Sequence, residues 1–285
     1  MNAIELSNVS YTYSPDTPFK KLALDNVSVS IRANAITGLM GHTGSGKSTL
    51  VQMINGLLKP DKGTVRVMGE DIWENPKEIH KLRFKVGLVF QYPEYQLFEE
   101  TVRRDIAFGP SNMKLAKDEI DRRVELAAEL CGIDKGTLEK SPFDLSGGQK
   151  RRVAIAGVMA MMPEVLILDE PAAGLDPQGR EEILGGISQF RKEHNSTVII
   201  VSHSMEDMAK YSDDIIVMEN SGICTYGPKA EVFKKADLLE SVGLGVPAIT
   251  KLSDMLTHLG IPLDAGQFSV SSCADNIAEL LKKQI

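Results

Sequence analysis

An α/β protein organised around a central parallel sheet is the expected fold, and three observations predict it. The runs Ile36–Met40, Val165–Asp169 and Thr197–Val201 are almost wholly apolar, as strands covered on both faces must be. The first runs into the glycine-rich segment GHTGSGKST at residues 41–49, which leads into a helical pattern at 48–58. Helical stretches separate the other apolar runs, and a further strand, DIIVM, follows.

In chain order, residues 1 to about 90 begin with apolar and polar residues alternating, as in IELSNV and VSVSI. That period of two marks half-buried strands. The strand, glycine loop and helix come next. Residues 118–131 read as a helix with Ile120, Val124, Ala127 and Cys131 on one face, within a helical insert expected from about 92 to 158. The segment LSGGQ, residues 145–149, precedes a helical stretch expected at 150–161. Beyond about residue 230 two short amphipathic helices are expected. Leu252, Met255, Leu256 and Leu259 share a face of the first, and Ile277, Leu280 and Leu281 a face of the second.

The glycine segment carries the first chemistry. Gly41, Gly46, Lys47 and Ser48 satisfy G-x-x-x-x-G-K-[ST], a loop that turns its backbone N–H groups onto phosphate oxygens and faces them with a helix N-terminus. Lys47 should reach the β- and γ-phosphates, and the Ser48 hydroxyl should take a place on Mg²⁺. His42, Thr43, Gly44, Ser45 and Thr49 complete the expected nucleotide cradle. The second chemistry is VLILDEP, which delivers Asp169 at the carboxyl end of a buried strand, where open α/β sheets bind ligands. Asp169 is assigned to Mg²⁺, directly or through water. Glu170, which points differently, is assigned to polarise the attacking water. The third is LSGGQ itself, whose Ser146, Gly147, Gly148 and Gln149 place small residues and free N–H groups at a helix start, a second anion site.

These motifs, in this order, resemble the ATP-binding cassette (ABC) ATPases along nearly all of the first 230 residues. The resemblance implies a P-loop NTPase cassette: a RecA-like core, an antiparallel β layer and a helical subdomain, here with a small C-terminal helical extension. It implies a cassette domain at 1–229, and the amphipathic extension at 230–285 is read as a packing or subunit-contact appendage. It also implies further site residues. Tyr13 falls where the family has an aromatic stacked on adenine, Gln91 where it has the Q-loop glutamine, which also reaches the metal, His203 where it has the switch histidine, and Asp176 where it has the D-loop aspartate. Ser146, Gly147, Gly148, Gln149 and Asp176 would act in trans, on ATP bound by a partner chain. Ala173 stands where many relatives have serine.

Composition narrows the class further. The net charge of −7 and a pI near 5.4 oppose nucleic-acid binding, which needs a basic face. Lys150, Arg151 and Arg152 are read as the exposed start of the LSGGQ helix. Only about a hundred residues separate Lys47 from Leu145, which excludes the long coiled-coil insert of the DNA-repair relatives. No motif recurs, unlike the two-cassette ribosome-associated relatives. No apolar stretch reaches the roughly 18 residues of a membrane span, no secretory signal is expected, and three scattered cysteines suggest neither disulfides nor zinc. A soluble, cytosolic chain follows.

The segment QYPEYQLF at residues 91–98 resembles the Q-P-E-x-Q-L-F pattern of energy-coupling factor (ECF) transporter ATPases, the EcfA/CbiO group, and the opening NVSYTYSPDTPFKKLALDNV resembles their A-prime type. The implied function is the ATP-hydrolysing subunit of an ECF importer of a vitamin or transition-metal ion. The implied partners are a second ATPase subunit in a heterodimer, a membrane T subunit and a substrate-binding S subunit, with the chain peripheral on the cytoplasmic side of the cell membrane. A non-transport regulatory ABC ATPase and an ordinary ABC transporter cassette are the alternatives.

Overall fold

The structure, a computed structural model, describes residues 1–261, 263 and 270–283. Its strands, in chain order, are β1 (Asn2–Tyr13), β2 (Lys21–Arg32), β3 (Ile36–Met40), β4 (Lys62–Val67), β5 (Glu70–Asp71), β6 (Val86–Val89), β7 (Val165–Asp169), β8 (Thr197–Val201), β9 (Asp214–Glu219) and β10 (Gly222–Pro228). They form two sheets. The larger has the order β10-β9-β3-β8-β7-β6, parallel from β9 to β6, with β10 returning antiparallel against β9. The smaller, β2-β1-β4-β5, is antiparallel throughout.

Strand pleating divides the core in two. Leu166 and Leu168 of β7, with Val198 and Ile200 of β8, face the helical layer, whereas Val165, Ile167, Ile199 and Val201 face the antiparallel sheet. Both faces are thereby dry, which is why these strands contain almost no polar residue. On the second face lies helix α1 (Lys47–Ile54), and α2 (Ile79–Lys85) leads into β6. The predicted helix at 48–58 stops four residues early. The Asn55 carboxamide turns aside to donate to the Val86 carbonyl, and Gly56, at φ 72°, takes the chain out of the helix.

The helical layer comprises α3 (Val102–Asn112), α4 (Lys117–Leu130), α5 (Lys135–Leu138) and α6 (Gly147–Met159). On α4 the expected face is the buried one, with Val124, Ala127 and Cys131 inside and Ile120 packed at its edge. Helix α6 starts three residues before the predicted 150, because Ser146 and Gln149 form a reciprocal capping box that nucleates it at Gly147. The basic triplet within it is not an exposed start. Arg151 is buried and Arg152 is mostly covered, and each is ion-paired, to Glu94 and Glu182 respectively. Helices α7 (Pro177–His194) and α8 (Met205–Tyr211) return the chain to the main sheet.

After β10 come α9 (Lys229–Phe233), α10 (Ala236–Ser241), α11 (Ala248–His258) and α12 (Val270–Lys283). The predicted apolar face of α11 is open to solvent at Leu252, Met255 and Leu259, while Leu256 is half-buried. On α12, Ile277 and Leu280 are half-buried, and the side chain of Leu281 lies outside the described residues.

Candidate active site

The phosphate loop leaves the carboxyl end of β3 and enters α1. Gly41 and Gly46 are the positions that require glycine, with φ at 148° and 107°. A Cβ on the first would lie 2.3 Å from the Met218 carbonyl oxygen, and on the second 2.5 Å from that of Ala23. Strand β9 of the main sheet and strand β2 of the antiparallel sheet thus both press on the loop. Lys47 is buried and donates to the carbonyls of Gly41 at 2.7 Å and His42 at 3.0 Å, which holds its ammonium across the loop mouth.

Beside the loop lies a cavity of about 200 Å³ lined by Thr43, Gly44, Gly46, Lys47, Ser48, Gln91, Asp169, Glu170, Val201 and His203. Strands β3, β6, β7 and β8 deliver all of these residues at or beyond their carboxyl ends, so the parallel sheet itself assembles the site. The Ser48 hydroxyl lies 3.5 Å from Asp169 Oδ2. The Tyr13 hydroxyl meets Thr49 Oγ1 at 3.3 Å, which places its aromatic ring at the far end of the phosphate loop, edge-on to Tyr11.

Electrostatics separate the two carboxylates. Burial pushes the Asp169 carboxyl up, but the nearby Lys47 charge and the Ser48 hydroxyl oppose that rise. Glu170 is pushed up to about 7, by burial first and by the Asp169 charge second. Its φ of 52° is left-handed, and its backbone N–H is fixed to the Val201 carbonyl at 3.0 Å. Glu170 Oε1 is buried with no hydrogen-bond partner; His203 Nε2, at 3.6 Å, is near but beyond bonding range. An orphaned carboxylate oxygen facing a polar cavity can accept from a water or hydroxyl there. His203 is held toward its neutral form, by burial and then by Lys47.

Not every predicted residue joins this cavity. Ser146, Gly147, Gly148 and Gln149 begin α6, and Asp176 caps α7 by accepting from the Gly179 N–H at 2.7 Å; none of them lines it. The His42 side chain is exposed and its Nδ1 donates to the Thr43 carbonyl at 2.9 Å, and Ser45 is buried beneath the loop. Sequence reasoning missed Val201 in the lining and the pairing of Arg151 with Glu94. The latter had no local signal, since the two lie 57 residues apart.

A glycine loop shaped for phosphate, a strand-end Asp-Glu pair, and a glutamine and histidine converging on one cavity define an ATP-hydrolysing P-loop cassette. The ABC transporter family matches residues 24–173. Over 280 residues the chain is 51% identical to the energy-coupling factor transporter ATP-binding protein EcfA2 of Clostridium acetobutylicum, covering 98% of each. It is 50% identical to EcfA2 of Clostridium perfringens over 98% of this chain and 99% of that one. Among solved structures, cbiO1 of Clostridium perfringens, described as part of the ABC transporter complex cbiONQ, superimposes with a TM-score of 0.75 at 40% identity, over 89% of this chain and 99% of that one. A dimeric post-hydrolysis state of the cassette MJ0796 bound to ADP and Pi gives 0.72 at 28% identity, over 79% and 98%. The chain belongs to the ABC transporter ATPases and, within them, to the energy-coupling factor transporter ATP-binding proteins.

Proposed function

We propose that this chain is an ATPase subunit of an ECF importer, coupling ATP hydrolysis to uptake of a vitamin or transition-metal ion through a membrane T subunit and a substrate-binding S subunit. The observation that carries this reading is the surface beside the phosphate site. Tyr95 is 85% exposed and Phe98 57%, and Phe98 walls a groove of about 400 Å³ together with Phe84, Leu97, Phe108, Val158 and Met161. Phe98 stacks edge-on to Phe108, and Asp105 accepts from the backbone N–H groups of Phe98 and Glu99. Large apolar side chains held open by such contacts fit a helix presented by a partner. The segment begins at Gln91, which lines the phosphate cavity, so a partner there would sit one loop away from the nucleotide. Among the described residues no helix is long and apolar enough to cross a membrane, which fits membrane association through partners on the cytoplasmic face.

In this reading Tyr13 stacks on adenine, and the backbone of residues 41–49 with Lys47 holds the phosphates. Ser48, Asp169 and Gln91 offer a hydroxyl, a carboxylate and a carboxamide, an all-oxygen donor set that suits Mg²⁺, and the bound ion would neutralise phosphate charge. Glu170 Oε1 takes the proton side of the attacking water, and His203 donates toward the γ-phosphate. Ser146, Gly147, Gly148, Gln149 and Asp176 serve a nucleotide held by the second ATPase subunit. Residues 1–229 form the cassette and 230–285 the extension that contacts that subunit. Affinity purification from detergent extracts tests the assignment: a second cassette ATPase and membrane-spanning subunits should copurify with the chain. Recovery with soluble proteins alone would favour a regulatory ABC ATPase.

A further inference from the structure

We infer that Glu94 and Arg151 form a strut that makes the Gln91 segment and the N-terminus of α6 move as one body, so that Arg151 is a positioning residue for hydrolysis. The inference rests on the reading of Gln91 and of residues 145–149 given above. The pair is bidentate, with Arg151 Nε donating to Glu94 Oε2 at 3.2 Å and Nη2 to Glu94 Oε1 at 3.0 Å. Its side chains are only 7% and 17% exposed. Glu94 lies in the short 3-10 turn Pro93–Gln96, which Tyr92 enters at φ 59°. Only Tyr92 and Pro93 therefore separate it from Gln91 in the phosphate cavity. Arg151 lies in the second turn of α6, whose capping box holds Ser146 to Gln149.

A buried fork between a guanidinium and a carboxylate fixes direction as well as distance, because two parallel bonds resist rotation that one would permit. Separating its halves would leave a charge uncompensated in a covered site. Arg151 Nη1 is already buried without a hydrogen-bond partner, so the guanidinium has no alternative acceptor to move to. Any displacement of Gln91 as nucleotide binds is then carried through the turn to α6. The small residues at the helix start move with it, toward the place where a second subunit would present its nucleotide. Elsewhere in the layer, Arg152 joins α6 to α7 through Glu182 at 2.6 Å, whereas the Glu94 pair adds a charged, directional tie between α6 and the segment that begins at Gln91.

The test uses E94Q and R151K in the full chain, purified with its coexpressed partner subunits and given Mg-ATP. Glutamine keeps the shape of Glu94 and lysine keeps the charge of Arg151, but each abolishes the charged fork. The expected result is a kcat lowered about tenfold with KM for ATP within twofold of wild type, because Lys47 and the phosphate loop are untouched. Hydrogen exchange should also change character. In the wild type, ATP should slow exchange at residues 92–98 and 147–151 together; in the variants, 92–98 should exchange faster and respond independently of 147–151. If one variant does not fold, the other is read by the same criteria. A folded variant with unchanged kcat and still-coupled exchange would overturn the strut, as would a change in KM alone. If E94Q uncouples exchange while uptake proves indifferent to the Gln91–Phe98 surface, the transporter reading fails and the strut stands.

Discussion

Glu170 holds its carboxylate against both burial and the charge of Asp169, with one oxygen unpartnered. That arrangement is poor for stability and suited to accepting a proton. E170Q is expected to keep ATP affinity and lose about a hundredfold or more of kcat, since general-base assistance is worth about 10²–10⁴. Single-turnover hydrolysis beside equilibrium nucleotide binding measures both. The same shift sets a pH signature. Because the folded chain holds this proton up to about 7 while an unfolded glutamate releases it near 4.5, the native state binds more protons between those values, and stability falls as pH rises through that window. Without metal or nucleotide, in EDTA, E170Q should therefore melt above the wild type at pH 8, and the difference should shrink toward pH 4.5. Equal melting temperatures at pH 8 would show that the carboxylate finds solvent in the folded chain.

Helix α6 owes its start to the Ser146–Gln149 capping box. At Gly147 an added Cβ would meet nothing within 4 Å, and a carboxylate in a first helical turn suits the helix dipole. G147D should consequently fold and bind ATP normally, yet lose most hydrolysis wherever this turn must face a partner-held γ-phosphate. Mixed dimers with one mutant chain separate the cases: loss at the partner's phosphate loop supports the trans site, and loss confined to the mutant's own loop refutes it. Helix α11 presents the opposite situation, an apolar face that stands largely open among the described residues. Leu252 and Met255 are exposed whereas Leu256 is half-buried, so L252D/M255D tests the face with little disturbance of the fold. Burying two carboxylates in an apolar seam costs several kcal/mol, so sedimentation should show a lower associated fraction at unchanged ATP affinity.

At the scale of the molecule, the two sheets and the helical layer bring a nucleotide site and an apolar groove to opposite ends of one loop, Gln91 to Phe98. Replacing Tyr95 and Phe98 together by Ser should remove apolar contact worth about 2–4 kcal/mol from this surface without touching the phosphate loop. Uptake by the reconstituted complex should fail while the chain still binds ATP. Normal uptake would remove this surface from coupling, and an unfolded variant would reveal that the Phe98–Phe108 stack is structural.

Much of this was legible in the chain because it is local. Apolar runs of about five residues name β3, β7 and β8, a glycine pattern names the phosphate loop, and Asp169 and Glu170 announce themselves at a strand end. Hydrogen bonding and sterics within a few residues suffice for each. Other features depend on what folding brings alongside. That α1 ends at Ile54 follows from Asn55 reaching the Val86 carbonyl, and that Arg151 is buried follows from a carboxylate 57 residues earlier. The cavity itself exists only because parallel strands end side by side, gathering Gln91, Asp169 and His203 beside Lys47 while leaving residues 145–149 and Asp176 elsewhere. Sequence by itself determined the chemistry and the family. Tertiary structure decided which of those groups share one space, because charge, burial and distance act across the fold rather than along the chain.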